Sequence, residues 1–271
     1  FGELPTSDQL KKFTSKVVVY RDLPEELVRI LKALPKQTRP MDVLQMAVSS
    51  LGTFYDLEVS PEKVKGKKYD DEYFLNTSAA LIGALGSIVA AWHRIRNGDE
   101  PISSIHDSTY AENFLHILGA EKITPLMARI MDATLVLHGE HTINASTFTA
   151  MVTSSTLANA PQVVASAIGS LSGPLHGGAN EKVVAMLQKI KSKEEIRPWL
   201  EETLKSKNVV WGMGHREYSV KDPRANILTD MVQQLFDERD GGVTDIFEKA
   251  IELEKACEEK LSHKGCLLYT S

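Results

Sequence analysis

The stretch ALIGALGSIVAAW, residues 80–92, decides the fold. With Ala79 it forms a run of 14 apolar or small residues, shorter than the roughly 20 that a membrane-crossing helix needs. Gly83, Gly86 and Ser87 within it let another backbone approach closely. It therefore predicts a buried helix packed tightly among others.

Helical spacing continues on both sides. Residues 6–20 place Leu10, Phe13 and Val17 three and four apart on one face. Asp22 is expected to cap a second helix, with Glu25 and Glu26 in its first turn and Pro35 ending it. Further helices are predicted over 42–51, 69–96, 108–118, 125–138, 146–158, 161–171, 181–190, 193–204, 224–239 and 243–263. Strand alternation is scarce, since Val17-Val18-Val19-Tyr20 sits inside a helical pattern. Residues 59–68 read as a lysine-rich surface loop. The fold class is all-α.

Composition changes near residue 180, from small-residue apolar helices to charged ones such as EKAIELEKACEEK. This predicts a large helical domain over 1–178 and a smaller one over 179–265, hinged at Gly177-Gly178. Residues 266–271 read as a non-native tail. With 42% hydrophobic and 25% charged residues, the chain has an ordinary soluble composition. A net charge of −5 argues against a nucleic-acid partner. The two cysteines, Cys257 and Cys266, cannot build a disulfide framework or a thiolate metal site. With no signal or transit segment and no spanning helix, a cytoplasmic protein is expected.

Three histidines stand in settings suited to chemistry. His176, in GPLHGGAN, lies where a new helix begins. The positive end of the helix dipole there favours a neutral imidazole, the form that stabilises an enolate oxygen. A structural turn histidine fits the same residues equally well. His215 follows Gly212-Met213-Gly214, and nine residues later Arg224 follows the Asp222-Pro223 breaker. A guanidinium on a first helical turn offers a fork for a carboxylate; an ordinary helix-start arginine is the plainer alternative. His141, in HGEHTINAST, ends an apolar helix. With His138 it imitates a metal pair, but no third ligand has suitable spacing, so no metal site is expected.

As a set, LVLHGEHTINAST (135–147), GPLHGGAN (173–180), GMGHREYSVKDPRA (212–225) and PMDVLQMAVSSLG (40–52) resemble the signature blocks of the citrate synthase family, and the three histidine blocks stand in that family's order. The resemblance implies an all-α homodimer with the active site in a cleft between a large and a small domain. It implies condensation of acetyl-CoA with oxaloacetate and water to give citrate and CoA, without a metal or a cofactor. It makes His176 the group that stabilises the enolate and His215 the group that polarises the oxaloacetate ketone. Arg224 and His141 would hold oxaloacetate. Gly212, Met213 and Gly214, with Arg216, would contact CoA, and domain closure would expel water.

The resemblance breaks in three places. The family's general base, an aspartate in an Asn-Val-Asp block, is expected just after Gly265, where the chain reads Cys-Leu-Leu-Tyr-Thr-Ser. The arginine-bearing C-terminal segment is absent as well. Ser219 stands where a basic residue often meets a CoA phosphate. The 271-residue chain is therefore expected to be inactive, because loss of a positioned base costs roughly 10²–10⁴-fold in rate. Other readings are 2-methylcitrate synthase acting on propionyl-CoA, a module of a citrate-cleaving enzyme, and a non-catalytic CoA-binding helical scaffold.

Overall fold

A computed structural model describes residues 3–57, 71–139, 142–213, 222–238 and 244–261. Every regular element among them is helical, and the all-α fold is observed. The loop expected over 59–68 lies outside the described residues. The chain divides into two compact units, 1–128 with 141–172, and 129–140 with 173–271.

The first unit holds α1 (Ser7–Val19), α2 (Glu25–Ala33), α3 (Pro40–Phe54), α4 (Asp71–Asn97), α5 (Tyr110–Leu118), α7 (Ala145–Ser154) and α8 (Ala160–Leu171). Short polar residues set several starts. Thr6 and Thr109 form capping boxes with Gln9 and Glu112, and Asn144 and Asn159 cap α7 and α8. The expected cap of α2 is different. Helix α2 begins at Glu25 behind Pro24 without a side-chain cap. The Asp22 carboxylate instead accepts from the Ser104 backbone N–H and pairs with His106 Nε2 at 2.7 Å.

Helix α4 carries the decisive stretch. Ala80, Ala84, Ile88, Ala91, Trp92 and Ile95 are buried, and all but Ala80 join Leu27, Leu31, Val43, Val48 and Leu51 in one core. In the structure the helix exceeds its 14-residue apolar run, and its length and apolar character would suit a membrane span. More than half of its most apolar window is buried in protein, as in a core helix. Gly83 lies close against α1: a Cβ there would lie 2.6 Å from the Val17 carbonyl oxygen. Only glycine allows α1 to sit so near.

The chain passes from the first unit to the second within α6 (Pro125–Leu137). The second unit continues with α9 (Ala179–Lys189), a 3₁₀ turn (Lys193–Glu195), α10 (Ile196–Lys205), α11 (Pro223–Asp237) and α12 (Asp245–Leu261). Its core joins Leu187, Ile190, Ile196, Leu200, Leu253 and Cys257. On the surface Arg197 of α10 clamps Glu252 and Glu259 of α12.

Candidate active site

Of the residues singled out from the sequence, His176, Arg224, Gly212 and Met213 are described. His141, His215, Gly214 and Arg216 lie outside the described residues.

His176 sits in the turn between α8 and α9, half-buried. Gly173 closes this turn: its carbonyl oxygen accepts from the backbone N–H of His176 at 3.0 Å and of Gly178 at 3.3 Å. Helix α9 starts at Ala179 behind Gly178, which provides no side-chain cap. The imidazole thus belongs to a residue just before a helix N-terminus, on the side where the dipole is positive.

Gly212 follows Trp211 with φ of +89°, a left-handed conformation that glycine adopts without strain. Met213 donates its N–H to the Val210 carbonyl oxygen, and both Trp211 and Met213 pack on the core of the second unit. Lys182 of α9 lies over the Trp211 ring, Nζ 3.9 Å from its centroid. Nothing local to either residue signals this contact, which joins two separate segments.

Arg224 is the second residue of α11, behind Asp222 as N-cap and Pro223 as first helical residue. Its guanidinium is 21% exposed and paired with the buried Asp222 carboxylate, Nη2 to Oδ2 at 2.6 Å. Nη1 points at the Leu137 carbonyl oxygen, 3.4 Å away, at the end of α6. A cation is well placed there, against the negative end of a helix. Leu137 stands four residues before His141. The structure therefore brings the Asp-Pro-Arg block against the helix that leads into the HGEH block. Thr142, next to His141, holds φ of +48°, rare for a β-branched residue.

His138 is exposed and donates from Nδ1 to the Thr134 carbonyl oxygen at 2.7 Å. Among the described residues no three His, Cys, Asp or Glu side chains gather closely enough to hold a metal ion.

A family profile described as "Citrate synthase, C-terminal domain" matches residues 1–270. This chain belongs to the citrate synthase family. It is 42% identical over 265 residues to a citrate synthase of Synechocystis, a match covering 98% of this chain and 64% of that protein. It is 36% identical over 236 residues to a 2-methylcitrate synthase of Shewanella oneidensis, covering 87% of this chain and 60% of that protein. A citrate synthase of Thermoplasma acidophilum, solved as a ternary complex with carboxymethyl Coenzyme A and oxaloacetate, superposes with a TM-score of 0.85 at 26% identity. That match covers all of this chain and 68% of the other. The chain thus spans about two thirds of the length of the relatives it matches.

Proposed function

We propose that the whole protein condenses acetyl-CoA with oxaloacetate and hydrolyses the product thioester to citrate and CoA. The observation that carries this reading is the Arg224 fork at the end of α6, in the same compact unit as His176 at the entrance of α9. A guanidinium held in this way suits a substrate carboxylate. A neutral imidazole near a helix N-terminus suits a thioester oxygen that gains charge as the enolate forms.

In this reading His176 stabilises the enolate, His215 polarises the ketone, and His141 and Arg224 hold oxaloacetate. Gly212, Met213, Gly214 and Arg216 serve CoA. The ternary complex reported for the Thermoplasma relative supports this pair of substrates. A homodimer is supported by α7, which has no buried residue and leaves Phe148, Met151 and Val152 more than half exposed.

A second reading, 2-methylcitrate formation from propionyl-CoA, is favoured by the Shewanella relative. One methylene in a pocket is worth about 1–3 kcal/mol. Initial rates of CoA release by the whole protein, with each acyl-CoA at fixed oxaloacetate, separate the two. A higher kcat/KM for acetyl-CoA is expected. A preference for propionyl-CoA would replace the first reading with the second, and no release from either would reject both.

A further inference from the structure

Asp222 has no part in the chemistry proposed above, yet both of its carboxylate oxygens accept from Arg224. Oδ1 accepts from the Arg224 backbone N–H at 2.9 Å and from Nε at 3.0 Å. Oδ2 accepts from Nε at 3.0 Å and from Nη2 at 2.6 Å. An N-cap needs only the first of these bonds. The other three fix the plane of the guanidinium and turn its Nη1 towards the end of α6, where Nη1 meets the Leu137 carbonyl oxygen. Asp222 is 3% exposed, so water competes little for the pair.

We infer that Asp222 is a positioning residue: it locks the Arg224 guanidinium so that its Nη1-bearing edge receives a carboxylate of the keto-diacid. The inference rests on the proposed role of Arg224 in holding oxaloacetate. A free arginine side chain samples many rotamers, and ordering it on binding weakens affinity. Asp222 supplies that order in advance. By charge alone it should repel a dianionic substrate, so the two effects oppose each other and an experiment can tell which prevails.

The Asp222→Asn variant keeps a good N-cap but loses the charge, and it turns an amide donor towards Nη2. Asp222→Ser, also a competent cap, serves if the asparagine variant folds poorly. Oxaloacetate is titrated by calorimetry into the whole protein and into its Asp222→Asn, Arg224→Gln and double variants. In parallel the Nε–Hε signal of Arg224 is followed in ¹⁵N-arginine-labelled protein.

Asp222→Asn is expected to melt a few degrees below the parent, to bind oxaloacetate roughly tenfold more weakly, and to lose the protected Nε–Hε signal. Arg224→Gln is expected to lose on the order of 100-fold, and the double variant no more than that, because Asp222 acts through Arg224. Unchanged or tighter binding by Asp222→Asn, multiplied losses in the double variant, or a protected signal that survives Asp222→Asn overturns the positioning role. Equal binding by the parent and Arg224→Gln, or none by the parent, overturns the substrate role of Arg224 itself and the inference with it.

Discussion

Arg224 Nη1 lies 3.4 Å from the Leu137 carbonyl oxygen, so the first turn of α11 meets the last residue of α6. The contacts of this guanidinium to Leu137 and to Asp222 depend on its planar fork. A lysine at 224 keeps the charge but cannot satisfy both directions at once. Arg224→Lys is expected to weaken oxaloacetate binding about tenfold while the melting temperature moves by a few degrees at most. Calorimetric titration and thermal unfolding of the same sample check this.

His176 calls for a different outcome. If its imidazole stabilises charge that exists only in the transition state, its loss should lower kcat and spare oxaloacetate binding. His176→Asn in the whole protein is expected to lower kcat by on the order of 10²–10³ with little change in the oxaloacetate Kd. A steady-state assay paired with equilibrium titration separates the two effects.

Gly83 tests the packing of α4 on α1. A methyl group there would lie 2.6 Å from the Val17 carbonyl oxygen and 2.8 Å from Tyr20 Cβ, and the first of these is backbone that cannot swing away. In an exposed helix Gly→Ala stabilises by up to about 1 kcal/mol. Here the clash should win, and Gly83→Ala is expected to destabilise by about 1–3 kcal/mol. Urea denaturation at equilibrium gives the sign directly.

Tyr55 offers a pH signature. Its hydroxyl is buried without a partner, and its ring meets Tyr20 edge to face, centroids 5.1 Å apart. Burial first, then the nearby Tyr20 and Asp22, pushes its pKa up to about 12. A folded-state pKa above the unfolded value of about 10 contributes stability below pH 10 that is lost as pH rises towards 12. The native chain should therefore lose stability across that window, and Tyr55→Phe should lose less. At neutral pH the phenylalanine removes an unsatisfied hydroxyl and is expected to stabilise by about 1 kcal/mol. Melting curves between pH 7 and 12, with tyrosinate absorbance followed alongside, check both parts.

Much of the fold was legible because its causes are local. Leu27 and Leu31 fall at helical spacing on the buried side of α2, and Pro223 stands one place inside the start of α11. What the sequence hid is long-range. Asp22 looked like a cap because nothing near it in the chain reveals Ser104 and His106, more than eighty residues away, as its partners. The site was legible as motifs: His176 precedes a helix start and Arg224 sits on a first turn, as expected. Asp222 read only as half of a breaker, because a proline neighbour speaks of backbone geometry and not of where a carboxylate points. The contact between Arg224 and the end of α6 joins segments 87 positions apart, which no periodicity can report.

The most direct test of the account is the dependence of CoA release on oxaloacetate, measured with acetyl-CoA on the whole protein. Saturable release that requires oxaloacetate and falls sharply in His176→Asn is the predicted result. Thiol release that ignores oxaloacetate, or that proceeds at full rate without His176, would contradict it.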